Sequence, residues 1–81
     1  MKSFHLTISK VGESLYEGDA DSITLKCADG EVTVLADHES YVAPVVPCTA
    51  VIYDSKEHRH DIAFEHPGVI EVSNNQVTVI L

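Results

Sequence analysis

Apolar residues recur at every second position along most of the chain. Phe4, Leu6 and Ile8 share one parity while His5, Thr7 and Ser9 hold the other, and Ile23, Leu25 and Cys27 alternate with Ser22, Thr24 and Lys26. Val32 and Val34 continue the pattern, followed by Cys48, Ala50 and Ile52, then Ile62 and Phe64, Ile70 and Val72, and last Val77 and Val79. A period of two sends successive side chains to opposite faces of an extended strand, so each run predicts a strand with one face in a core. No stretch repeats apolar residues at i, i+3, i+4 and i+7 over three turns, the spacing of an amphipathic helix. The pattern predicts an all-β fold.

Turn-forming residues fall between the runs. Val11-Gly12-Glu13-Ser14 is expected to end the first strand, and Tyr16-Glu17-Gly18-Asp19 to separate a short piece from the next. Ala28-Asp29-Gly30-Glu31 carries Asp-Gly, a dipeptide suited to a hairpin whose central residues take positive φ. Asp54-Ser55-Lys56-Glu57 reads as a polar hairpin tip, and Asn74-Asn75 as a tight turn, since Asn tolerates the left-handed region. Pro44 and Pro47 limit the segment between them to a loop or a short edge strand. Strands so spaced predict a small antiparallel β-sandwich or flattened barrel of about eight to ten short strands, a single domain over residues 1–81.

Charge and composition narrow the function. Thirteen Asp and Glu against five Lys and Arg give a net charge of −8, which repels a phosphate backbone and argues against nucleic-acid binding. No run approaches the roughly 18–20 apolar residues of a membrane-spanning helix. The start, MKSFHLTISKV, alternates polar and apolar, unlike a signal-peptide core or an Arg-rich transit peptide, so a cytosolic protein is expected. Cys27 and Cys48 stand 21 positions apart in separate apolar stretches, form no CxxC pair, and are expected to be small, free core residues. A domain of 81 residues has little apolar surface to spare for a substrate pocket, which favours a binding or structural module over an enzyme.

Candidate chemistry is sparse. His58 and His60 share a strand parity and His66 follows, so a cluster of these three binding a metal or small molecule is the alternative function; zinc would require three or four such ligands to converge. Ser40 stands near His38 and Glu39, yet neighbours on an extended chain splay apart and no Gly-x-Ser-x-Gly elbow accompanies them. Asp29 and Glu31 straddle Gly30 but supply too few oxygens for a calcium site. No catalytic set and no cofactor site emerge.

Three stretches in sequence order carry a family resemblance. FHLTISKVGESLYEGDADSITL resembles the start of the epsilon subunit of the F-type ATP synthase. DGEVTVLADHES resembles that family's central GE-x-x-x-L-P-G-H-A-P segment, with Gly30, Glu31, Leu35 and His38 in matching places, and GVIEVSNNQVTVIL resembles its closing strands through Gly68, Ile70, Glu71, Val72, Asn75, Val77 and Val79. The chain departs from the pattern at Ala36-Asp37 and Glu39-Ser40, where the family has Pro-Gly and Ala-Pro, and at Glu65-His66-Pro67-Gly68, one residue longer than the family's Gly-Gly step. The resemblance is to the N-terminal β-sandwich domain, which a two-helix domain normally follows.

The resemblance implies a non-catalytic rotor component that links the gamma subunit to the c-ring, so that ion translocation is coupled to ATP synthesis. It implies a peripheral subunit on the cytoplasmic face of the membrane, held there through the complex and without the helices that inhibit ATP hydrolysis. By matching position, Asp29, Gly30, Glu31 and His38 would face the c-ring loops, and Ser9, Lys10, His38, Tyr41 and Val42 the gamma subunit. In isolation, a sandwich face without its partner is expected to favour self-association.

Overall fold

The computed structural model describes residues 2–81. It contains eight strands: β1 (Phe4–Lys10), β2 (Glu13–Cys27), β3 (Gly30–Leu35), β4 (Tyr41–Val45), β5 (Cys48–Asp54), β6 (Arg59–Phe64), β7 (Gly68–Ser73) and β8 (Gln76–Ile80). The inward parity read from the sequence is the buried one throughout. Phe4, Leu6, Ile8, Ile23, Leu25, Ile52, Phe64, Ile70, Val72, Val77 and Val79 form a continuous core, joined by Ala20, Cys27, Val34, Ala43, Val45 and Ala50. No polar or charged residue among those described is buried, so the interior carries no desolvated charge.

β2 organises the sheets. Its first half pairs antiparallel with β1, from Lys10 opposite Glu13 to Phe4 opposite Ala20. Its second half pairs with β3 along one edge, Ser22 opposite Leu35 through Cys27 opposite Gly30, and with β5 from Ala20 to Thr24. β4 meets the last residue of β2, Cys27 opposite Val45. A sheet of β1, β8, β7 and β4 thus connects to a second of β3, β2, β5 and β6 through one 15-residue strand. Register breaks at Ile8/Ser9 and at Ala20/Ser22 bend β2 as bulges do, letting it pass from one sheet to the other.

Four expectations are modified. The step at Tyr16 to Asp19 is not a turn: Gly18, with φ 155°, carries β2 straight through it. Two residues, Ala28 and Asp29, close the β2–β3 hairpin, one position earlier than the Asp-Gly dipeptide suggested, and the positive φ (127°) falls on Gly30 rather than on Asp29. The sheets are antiparallel except between β1 and β8, which run parallel with Leu6 beside Val77 and Ile8 beside Val79. That register keeps both strands' apolar side chains on the core face, which offsets the slightly weaker parallel pairing. Pro44 itself lies within a strand, β4, exposed opposite Val69, and of the residues between it and Pro47 only Val45 belongs to that strand. The Asn74-Asn75 turn matches its expectation, with φ of 51° and 59°.

Gly68 marks the tightest approach in the fold. A Cβ there would collide with the carbonyl oxygen of Ile80 and lie 2.8 Å from Leu81 Cδ2, where the end of β8 runs beside the start of β7. The obstruction is backbone, which cannot rotate away. Gly68→Ala is therefore expected to destabilise the domain by roughly 1–3 kcal/mol, the usual cost of overpacking, seen as a lower urea midpoint at unchanged m-value.

Candidate functional interface

The predicted c-ring-facing residues occupy two places. Asp29, Gly30 and Glu31 form the exposed β2–β3 tip, whereas His38 lies in the β3–β4 connection, at the other end of β3. At ~3.3 Å per residue, β3 holds them on the order of 17 Å apart. The tip is a small acidic knob, solvated on all sides.

The loop from Ala36 to Ser40 is held by polar contacts to the β7–β8 turn. Asp37 adopts φ 62°, its amide donates to Asn75 Oδ1 at 2.6 Å, and Asn75 Nδ2 donates back to Asp37 Oδ1 at 3.0 Å. Lys2 Nζ donates to Asp37 Oδ2 at 2.9 Å. The hydrogen bond from Lys2 and then the one from Asn75 Nδ2 hold the Asp37 carboxyl below its ordinary range. His38 is half-buried, edge-on to the Tyr41 ring with centroids 5.9 Å apart. Its Nδ1 lies 2.7 Å from the Glu39 carbonyl oxygen; a carbonyl only accepts, so Nδ1 carries the proton and Nε2 is left for a partner. Asp37, His38, Glu39, Ser40, Asn74 and Asn75 line an open polar depression. Ser40 is not hydrogen-bonded to His38, whose Nδ1 is engaged by the Glu39 carbonyl.

The predicted gamma-facing residues divide by face. Tyr41 shares the parity of buried Ala43 and Val45 and packs half-buried against the core. Burial pushes its phenol pKa up, and the neighbouring Cys27 thiol adds to the effect. Its side chain is core lining, not an outward anchor. Val42 points outward and is 66% exposed. Register places Val42 opposite Glu71, Pro44 opposite Val69, Val69 opposite Ile80 and Ile80 beside Ser9. Val42, Pro44, Val69 and Ile80 therefore share an apolar outer face on β4, β7 and β8, with Val69 46% and Ile80 59% exposed, and Ser9 continues it on β1. Lys10 ends β1 beside Glu13 at 3.6 Å. Val69 and Ile80 escaped the sequence-based selection although the signal was present: both stand on the outward parity of their strands.

The three histidines of the alternative function do not converge. His58 immediately precedes β6 and His60 is its second residue, while His66 follows its end, beside Lys10, Leu15 and Leu81. Among the described residues no group of three or more His, Cys, Asp or Glu is assembled to hold a metal ion. The sequence spacing misled because His66 lies beyond a full strand length, which parity ignores. His58 and His60 instead serve Asp54, which caps the β5–β6 turn. Asp54 Oδ1 accepts from the amides of Lys56 (2.8 Å) and His58 (2.9 Å), and Oδ2 accepts from His60 Nε2 at 2.9 Å. The His60 ring meets the Tyr16 ring edge-on, with centroids 5.5 Å apart, and so ties the hairpin to β2.

The hydrogen bond from His60, then those from the turn amides, lower the Asp54 pKa from 3.8 to about 2. A carboxylate depressed in the folded state contributes stability that is fully present above its unfolded pKa and is lost as pH falls through the folded one. Between about pH 4 and pH 2 the urea midpoint of the wild type is expected to fall more steeply than that of Asp54→Asn. Equal slopes would show that the carboxylate adds nothing to the turn.

A family model described as ATP synthase, delta/epsilon chain, β-sandwich domain matches residues 3–81. The ATP synthase epsilon chain of Clostridium novyi (strain NT) is 27% identical over 79 residues, covering 98% of this chain and 60% of that one. The epsilon chain of Thioalkalivibrio sulfidiphilus (strain HL-EbGR7) is 31% identical over 78 residues, covering 96% of this chain and 55% of that one. The chain thus spans little more than half the length of these curated relatives. In the cryo-EM structure of the Euglena gracilis mitochondrial ATP synthase, OSCP/F1/c-ring in rotational state 1, one chain superposes with a TM-score of 0.88 at 21% identity, over 96% of this chain and 49% of that chain. A chain of the Tetrahymena thermophila mitochondrial ATP synthase central stalk/c-ring superposes with a TM-score of 0.79 at 15% identity, over 94% and 60%. At these identities the two structures share the fold.

Proposed function

The chain belongs to the ATP synthase delta/epsilon β-sandwich family, and on that premise we propose that it is a non-catalytic component of the rotating central stalk, joining the gamma subunit to the c-ring. The observation that carries the proposal is the family match over residues 3–81, which takes in every strand. The protein's place is then the cytoplasmic face of the membrane, as a peripheral subunit held through the complex.

A rotor coupling must transmit torque with little compliance. A continuous apolar core with no buried charge among the described residues suits that task, since protein interiors pack closely and compress little. The apolar outer face of Val42, Pro44, Val69 and Ile80 supplies what a gamma-facing contact needs, exposed aliphatic surface on a stiff sheet. The acidic Asp29-Gly30-Glu31 tip suits a wet, ionic contact with basic c-ring loops, and His38, with Nε2 free, lies at the loop assigned to the junction.

Titration of this chain against purified gamma subunit from the same organism tests the proposal. A one-to-one complex in the micromolar range or tighter is expected, and Val42→Asp should weaken it by about tenfold or more at unchanged melting temperature. Tyr53→Asp, on the outer face of the other sheet, should leave it intact. Absence of binding at high micromolar concentration would refute the stalk role while leaving the fold untouched.

A further inference from the structure

The sequence separates the two cysteines, but the fold brings their strands together. Cys27 ends β2 and Cys48 begins β5, a strand that pairs with β2 over Ala20–Thr24. Beyond Thr24 the partner changes. Val45 lies opposite Cys27, the Val46 amide donates to the Lys26 carbonyl, and Cys48, already paired with Phe64 of β6, starts β5 after the bend at Pro47, three residues before β5 meets β2 at Val51. At this change of partner the Lys26 amide donates to Cys48 Sγ at 3.4 Å. The Cys48 sulfur is thereby fixed against the residue adjoining Cys27. Both side chains stand on the core-facing parity of their strands, Cys27 buried and Cys48 half-buried, and both thiols are free.

We propose that Cys27 and Cys48 constitute a dithiol site that a low-molecular-weight disulfide oxidises to an intramolecular bond. Cys48 Sγ lies 3.4 Å from the amide adjoining Cys27, and the Cys27 thiol senses the Cys48 charge, so the two side chains come near each other at the end of β2. Accessibility sets the order of events. The half-buried Cys48 meets the reagent, its thiolate attacks one sulfur of the disulfide, and the first reagent thiolate leaves. The Cys27 thiolate then attacks the Cys48 sulfur and expels the second. The two protons lost by the protein thiols go to the two departing thiolates, so that one disulfide is reduced to two thiols as one protein disulfide forms.

The pair's surroundings divide the roles in the same way. Burial pushes the Cys27 thiol pKa up, with the Cys48 and Asp29 charges adding to it, while the Tyr41 hydroxyl beside it acts in the opposite sense. A thiol so placed is a poor first nucleophile but becomes effective once its target is tethered alongside, where the reaction is intramolecular. The bond would close a loop through β3 and β4 and pin the base of the Asp29-Gly30-Glu31 tip to the β4–β5 bend. The inference is independent of the stalk role.

The full chain incubated with excess oxidised glutathione at about pH 8, then alkylated under denaturing conditions, decides the matter by intact mass. The expected product is a monomer lighter by about 2 Da with no alkylated thiol, restored by dithiothreitol. Cys27→Ala should stop at a single glutathione adduct on Cys48, and Cys48→Ala should leave Cys27 reduced. A wild-type chain that stops at the adduct, crosslinks to a second chain, or remains fully alkylatable would overturn the proposal.

Discussion

The backbone of β2 supplies hydrogen bonds to four other strands, and every other feature of the domain depends on that sharing. Its first half closes one sheet against β1, and its second half builds the other between β3 and β5 before handing its last residue to β4. A strand can serve two sheets only by bending, and the register breaks beside Ser9 and at Asp21 provide the bends. Once both sheets are tied to the same backbone their inner faces must oppose each other. The alternating apolar residues of all eight strands are then removed from water together.

That closure explains how the surface is divided. The outer face of β4, β7 and β8 is the reverse side of strands whose inner residues are fully committed to the core, so Val42, Val69 and Ile80 cannot turn inward without flipping a whole register. Their exposure is a property of the sheet, and it supplies a stiff apolar platform. The loops at the ends of β3 are set apart by the length of that strand. The tip and the His38 loop are consequently two separate contacts on one rigid body.

Side-chain carboxylates fasten the connections that the strands leave open. Asp54 gathers two amides and an imidazole at the β5–β6 turn, and Asp37 exchanges hydrogen bonds with Asn75 across 38 positions of sequence. Each holds a residue of positive φ at or near its loop, Glu57 in the first case and Asp37 itself in the second. Part of the acidic excess is thus loop architecture. Cys48 plays a related part, its sulfur accepting the Lys26 amide where β2 changes partner from β5 to β4.

The sequence by itself determined the all-β class, most of the core though not Ala20, Ala43 or Val45, and the Asn74-Asn75 turn, because period-two burial and left-handed φ are local properties that each residue carries in its own side chain. Val69 and Ile80 were legible in the same way, through parity. Tertiary structure alone decided the rest. The parallel pairing of β1 with β8 depends on where the last strand docks, and Gly18 lies inside a strand because β1, paired alongside, keeps β2 extended. Tyr41 faces inward because β4 is registered against β7. His66 lies far from His58 and His60 because a strand intervenes, while Cys48 meets the Lys26 amide, next to Cys27, because β5 returns alongside β2. Each of these is a long-range pairing, set by backbone hydrogen bonds between segments distant in sequence, and no local pattern of side chains encodes which segments will meet.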